Sequence, residues 1–178
     1  MSQVQLFGQG AHAEQSIVKT ATISGCGRYR YTLTRHWDNG AYALPIIMLN
    51  PSTADAEIDD RTIGRCMHFA RRDGFGGIRV LNLFAFRATS PDDMKAASDP
   101  IGPENDTHLG ELIRRASESN IPILAAWGSH GSHLGRASAV KLVASINGAR
   151  LICLGQTSDG HPRHPLYIKG DRTFEAYP

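Results

Sequence analysis

The sequence predicts an α/β fold, a three-layer sandwich with a mostly parallel central sheet and an N-terminal antiparallel hairpin. Three observations carry this. Residues 43–49, 78–84, 121–127 and 149–154 are nearly continuous apolar runs, the character of strands covered on both faces. Segments of helical periodicity separate them, so strand and helix alternate and the helices must cover both faces of the sheet. A run with strand-like alternation, residues 20–37, precedes the first of them.

In order along the chain, residues 1–19 mix Gln, Gly, Ala and Ser with few apolar side chains and read as a flexible arm ahead of a single α/β domain at 20–178. Tyr29, Tyr31, Leu33 and Trp37 alternate along a half-buried strand, and Asp38-Asn39-Gly40 has the chemistry that closes hairpins. The apolar run 43–49 ends in the loop Asn50-Pro51-Ser52-Thr53-Ala54-Asp55. Asp59 and Asp60 suit the dipole of a helix over 61–73, with Asp59 expected as a cap. Ile63, Cys66, Met67 and Ala70 share one face of it, and Gly74 stops it.

After the strand 78–84, Ser90-Pro91-Asp92-Asp93 offers an N-cap, a first-turn proline and first-turn acids for a short helix broken at Asp99-Pro100. A longer helix starts near Pro103 and buries Leu109, Leu112, Ile113 and Ala116. The strand 121–127 leads into a glycine and histidine loop, 128–133. A helix over 134–146 then buries Ala137, Val140, Leu142 and Val143 and stops at Asn147-Gly148, before the strand 149–154.

A chain of 178 residues is one domain with enough interior to fold without staples. Nineteen basic against 17 acidic residues, net +2, neither demand nor exclude a nucleic-acid partner. Cys26, Cys66 and Cys153 are widely spaced and form no CxxC, which argues against a disulfide framework or a four-thiolate metal site and suits a reducing, cytoplasmic setting. No apolar stretch approaches a membrane span and the start lacks signal-peptide character, so no membrane partner is expected.

In an open α/β sheet, ligands bind beyond the carboxyl ends of the strands. The loops expected there, 50–62, 82–89, 127–133 and 155–164, hold most of the candidate chemistry. Asn50, Pro51, Ser52 and Thr53 are either turn residues or a water-orienting amide followed by backbone donors for an oxyanion. Asp55, Asp59 and Asp60 offer carboxylates for general-base work or a hard metal. Asn82, inside an apolar strand, must find partners in the protein or on a nucleobase edge. Phe84 and Phe86 flank Arg87, where a ring either packs or stacks on a planar ligand.

The third loop opens with Trp127 and Gly128 and continues Ser129-His130-Gly131-Ser132-His133, which is out of register for a GxSxG nucleophile elbow. His130, His133, His161 and His164 lack a firm third-ligand pattern, and neither metal nor cofactor is expected. Prolines stiffen His161-Pro162-Arg163-His164-Pro165, either as a plain rigid turn or to hold histidines against a ligand. Arg61, Arg65, Arg71, Arg72 and Arg87 are a phosphate track or a solvated helix face.

Taken in order, these loops resemble the uracil-DNA glycosylase superfamily. Leu49-Asn50-Pro51-Ser52 is similar to its water-activating Gly-x-Asn-Pro-Gly motif, with Ser52 in place of the last glycine. Val80-Leu81-Asn82-Leu83 resembles its base-reading strand, Arg87-Ala88-Thr89-Ser90-Pro91 falls where some branches carry Lys-Cys-Arg-Pro-Pro, and His164-Pro165-Leu166 looks like its late His-Pro motif. The span 46–167 also resembles, more closely, the bacterial and phage family DUF1643. The resemblance implies a uracil-DNA-glycosylase-like sheet and hydrolysis of an N-glycosidic bond of a modified or damaged base. Asn50, helped by Asp55, would hold the water and His164 would stabilise the departing base. Pro51, Ser52, Thr53, Asn82, Phe84, Arg87, Trp127, Gly128 and His161 would form the substrate-binding set. The partner is then a nucleobase, nucleotide or nucleic acid. A non-catalytic nucleobase-binding module and a metal-dependent hydrolase are the alternatives, and oligomeric state is left open.

Overall fold

The computed structural model describes residues 16–52, 54 and 57–178. The chain runs β1 (Val18–Ile23), β2 (Arg30–His36), β3 (Ala43–Met48), α1 (Arg61–Arg72), β4 (Gly77–Asn82), α2 (Pro91–Ala96), α3 (Asn105–Glu118), β5 (Ile123–Ala125), α4 (Arg136–Ile146), β6 (Leu151–Cys153) and β7 (Glu175–Ala176). Short 3-10 segments occupy Ser129–Gly135 and Pro165–Tyr167. One seven-stranded sheet has the order β1-β2-β4-β3-β5-β6-β7. Its four central strands are parallel, while β2 on one margin and β7 on the other run antiparallel to them and β1 pairs antiparallel with β2. The sheet is therefore more mixed than the sequence predicts, because β7 is a two-residue strand with no pattern of its own. β1 also begins inside the segment expected to be a loose arm.

The expected hairpin exists, but Asp38-Asn39-Gly40 does not close it. The β1–β2 turn is made at 24–27, where Gly27 N–H donates to Ser24 O at 2.8 Å. Strand β2 pairs with β4 and not with β3, so the Asp-Asn-Gly turn carries the chain past the end of β4 to its far side. Trp37 N–H (2.8 Å) and Asp38 N–H (3.0 Å) both donate to Gly76 O. Glycine is required here for close approach: a Cβ at Gly76 would lie 2.2 Å from Asp38 O, and one at Gly77 2.4 Å from His36 Nδ1.

Alternation along the strands sorts the core into two layers. Leu44, Ile46, Met48, Ile78 and Val80 face α1 through Ile63, Cys66, Phe69 and Ala70. Ile47, Leu81 and Ala125 face α3 and α4 through Leu109, Leu112, Ile113, Ala137, Val140 and Ala144. Helix α4 departs from expectation: Leu142 and Val143 are exposed, and Ala144 is buried in their place. Its apolar residues spread round most of the helix, so periodicity does not single out the inward face.

The cap of α1 is Asp60 and not Asp59. Asp60 Oδ1 accepts from Ile63 N–H at 2.8 Å. Asp59 is engaged by cations of the hairpin, accepting from Arg35 Nε at 2.7 Å and lying 3.0 Å from Lys19 Nζ. The same hairpin reaches the chain just before it, through Arg30 Nη1 to Ala54 O and Lys19 Nζ to Glu57 O. The Arg35 side chain is entirely buried. Deleting the Asp59 carboxylate removes an anionic partner from a guanidinium held out of water, a loss moderated because Asp59 is 26% exposed. Asp59→Ala should lower the unfolding free energy by about 2 kcal/mol in urea denaturation, and an unchanged midpoint would show that the pair holds nothing in place.

Candidate functional site

Strand β3 lies between β4 and β5, so the chain leaves it to one side through α1 and returns on the other through α3. That reversal opens a crevice at the carboxyl ends of these strands. A cavity of about 750 Å³ occupies it. Its walls are Met48 at the end of β3 with Asn50 and Ser52 beyond it, Asn82 and Thr89 at and beyond the end of β4, Trp127 to His130 after β5, and Thr157, Arg163, His164 and Tyr167 after β6. Arg30 of the hairpin and the first turn of α1 complete it.

Of the residues expected to catalyse or to bind substrate, the structure thus brings together six: Asn50, Ser52, Asn82, Trp127, Gly128 and His164. Four others do not line the cavity. Phe84 is fully buried in the core under His133, 5.5 Å between ring centroids, and has no face to offer a ligand. Pro51 is buried, with its carbonyl accepting from Ala88 N–H at 3.0 Å. Arg87 points back to the hairpin, where Nη1 donates to Gly27 O at 3.2 Å. His161 closes a turn whose backbone bonds go to Thr157. Thr53 and Asp55 lie outside the described residues.

Three polar groups define what the cavity can bind. Asn50 Nδ2 donates to the carbonyls of Ala88 (2.8 Å) and Pro51 (3.2 Å). Two carbonyl acceptors fix the orientation of the amide, so Oδ1 is the atom it has left to offer. Asn82 is 1% exposed, and its Nδ2 has no hydrogen-bond partner among the described residues. Its own main-chain carbonyl is bound by Asn105 Nδ2 at 3.1 Å, which holds the strand end in place. His164 Nδ1 accepts from Leu166 N–H at 3.3 Å. A backbone N–H can only donate, so the ring proton sits on Nε2 and the imidazole is a neutral donor. Burial holds its pKa below the usual histidine value, with the Asp60 charge opposing in part.

Gly128 joins two of these loops. Its backbone, at φ 70° and ψ −170°, is one that only glycine adopts readily. Its N–H donates to Pro162 O at 3.0 Å, bringing the loop after β5 against the loop that carries His164. Sequence reasoning did not assign cavity positions to Arg30, Thr89, Thr157, Arg163 or Tyr167. Thr89 and Arg163 stand within the runs 87–91 and 161–165, Thr157 within the last strand-end loop, and Tyr167 just beyond His164-Pro165; Tyr167 is 82% exposed at the cavity rim, with its ring centroid 5.8 Å from that of His164.

The arginines of α1 serve its packing. Arg65 donates to Ile168 O, Arg72 Nη1 to the carbonyls of Gly170 (3.0 Å) and Arg172 (2.6 Å), and Arg71 lies 4.2 Å from the centroid of the Trp37 ring. Of the expected phosphate track, only Arg61 lines the cavity.

The family described as a protein of unknown function, DUF1643, matches residues 30–166, well over half of the chain. The chain belongs to that family. No curated protein and no solved structure matches it. The DUF1643 span begins at Arg30 and takes in each cavity residue named above except Tyr167, so the cavity lies almost wholly within the part the family shares.

Among the described residues of this DUF1643 protein, no three His, Cys, Asp or Glu side chains are grouped to hold a metal ion. The two histidines of the third loop diverge, His130 Nδ1 lying 3.1 Å from Lys95 Nζ while His133 packs on Phe84.

The lowered pKa of His164 fixes the sign of a pH effect. Below the ordinary histidine value of about 6.5 the unfolded chain takes up a proton before the folded one does. Stability contributed by neutral His164 is therefore full above that pH and declines as pH falls toward the folded-state value. Urea midpoints should fall with acidification through this window in the wild type and fall less in His164→Gln. Parallel pH profiles for the two proteins would contradict the assignment.

Proposed function

We propose that this DUF1643 protein binds a nucleobase in the cavity and hydrolyses the N-glycosidic bond that attaches it to a sugar. The observation that carries the reading is the buried, unpartnered Nδ2 of Asn82 at the cavity wall. An amide withdrawn from water costs about 1–3 kcal/mol when it lacks a partner, and a planar ligand with an acceptor on its edge supplies one. His164 Nε2–H adds a second donor and Asn50 Oδ1 an acceptor on the same cavity. These are also the three motif positions that resemble the uracil-DNA glycosylase superfamily.

In this reading the base lies with its edge on Asn82, and Asn50 Oδ1 accepts a hydrogen bond from a water directed at the anomeric carbon. The bond between anomeric carbon and base nitrogen breaks, and its electron pair leaves with the base. The water oxygen bonds to the carbon, and the proton it releases ends on the base. His164 donates from Nε2 to the base as negative charge develops, a bond that strengthens in the transition state and so lowers the barrier. Because the imidazole is neutral, it stabilises the leaving base without itself giving up a proton.

Asn82→Leu is the test with the sharpest expectation. Replacing an unpartnered buried amide by an apolar group of similar size should raise the urea midpoint of the free protein. The same change should weaken binding of a panel of modified bases and nucleosides by at least about tenfold in calorimetry. Asn50→Ala should retain binding and abolish release of free base from modified nucleosides or oligonucleotides, followed by chromatography. No binding by any base, or binding indifferent to Asn82, would overturn the reading. Tight binding without release of free base from any substrate would leave a binding module and overturn hydrolysis.

A further inference from the structure

A second cavity, of about 670 Å³, adjoins the first at the same end of the sheet. Leu154 to Gln156, continuing from β6, form one side of it, and the segment 168–173 that leads to β7 forms the other. The two cavities share Arg163, Tyr167 and Ile168, so one ligand can reach from the first into the second. Three cations line the second cavity, Arg163, Lys169 and Arg172, against one carboxylate, Asp171. Glu175 pairs with Arg172 at 2.6 Å. Among the described residues, no carboxylate pairs with Arg163 or Lys169.

Among the described residues, Arg163 is the one charged side chain that lines both cavities. It stands on a tight hairpin, in which Thr157 N–H donates to His161 O (2.8 Å) and Gln156 bridges Pro162. Arg163 is tied into that hairpin twice, by its own N–H to Gly155 O (2.9 Å) and by Nε to Gln156 O (2.9 Å). Carbonyl partners orient the guanidinium and leave its charge unneutralised. Both Nη groups remain, a planar set of donors that matches two oxygens of one phosphate.

We propose that Arg163 and Lys169 form a phosphate subsite, and that the substrate of the adjoining cavity is a nucleoside carrying a phosphate on its sugar. The inference rests on the base-binding reading. With the base between Asn82 and His164, the residues just beyond His164 are those of the divide, Arg163 and Tyr167, and the second cavity lies past them. A sugar at the divide puts its phosphate beside the two cations that lack a carboxylate. A free nucleotide and a polynucleotide strand both supply that group.

Calorimetry on the full chain tests this by comparing each nucleoside of the modified-base panel with its own monophosphate, and by titrating ribose phosphate alone. The monophosphate should bind at least about tenfold more tightly than the nucleoside at low salt, and added salt should shrink the difference. Arg163→Gln and Lys169→Gln should each lower the ratio of the two affinities. Lys169 is exposed and its side chain makes no hydrogen bond or ion pair among the described residues, so Lys169→Gln reads the subsite even if Arg163→Gln disturbs the hairpin. An oligonucleotide carrying the same base separates the two sources of phosphate: affinity above that of the monophosphate, with a steeper salt dependence, assigns a strand, and equal affinity assigns a free nucleotide. Nucleosides that bind as tightly as their monophosphates, or a difference that survives both substitutions, would overturn the subsite and leave the base reading standing. Ribose phosphate held in an Arg163-dependent way while no nucleoside binds would keep the subsite and overturn the base reading. Binding of neither would overturn both.

Discussion

Arg35 holds a positive charge wholly out of water in the middle of a strand, and much of the functional end of the molecule depends on how that charge is answered. Its carboxylate partner, Asp59, sits in the segment that links β3 to α1. Satisfying the charge therefore pins that segment to the hairpin, with Arg30 and Lys19 binding the main-chain carbonyls of Ala54 and Glu57 just before it. The pinned loop sets Asp60 as the cap that starts α1. It also places Asn50 and the first turn of the helix on the cavity wall. The antiparallel hairpin, remote in sequence from most of the site, is in this sense part of its scaffold.

A second constraint acts at the sheet. Because β3 lies between β4 and β5, the strand ends carrying Asn50, Asn82 and Trp127 must open on the same side, and the bond from Gly128 N–H to Pro162 O draws in the loop with His164. The chemistry of the cavity follows from main-chain bonds already made. Carbonyl partners use the Nδ2 of Asn50 and leave its Oδ1. The Leu166 N–H occupies Nδ1 of His164 and leaves Nε2–H. Asn82 keeps a donor with no partner among the described residues, at a cost to stability.

Elements with a strong local pattern were legible in the sequence. The apolar runs around β3 and β4, the Ser90 cap of α2 and the loops at the strand ends all rest on local chemistry or on the general rule that places ligands there. What was not legible depended on partners distant in the chain. Asp59 reads as a cap until Arg35 is seen beside it, and Asp38-Asn39-Gly40 reads as a hairpin turn until β4 is found between its flanking strands. The inward face of α4 is hidden because apolar residues spread round most of the helix. Phe84 follows Asn82 by two residues, yet the chain has left the strand by then and turns the ring into the core. Arg30 joins the cavity through tertiary placement alone.

On the proposed function, Asn82 and His164 act on one ligand in one cavity. Nitrogen-resolved NMR of the Asn82 side-chain amide and the His164 ring, recorded while a modified nucleobase is titrated in, tests it most directly. Both the Nδ2 protons of Asn82 and the Nε2 proton of His164 should shift with the same saturation curve, while the Nδ1 signal of His164 keeps the signature of an acceptor. Saturable binding that leaves either residue unmoved, or moves them with different affinities, would contradict it.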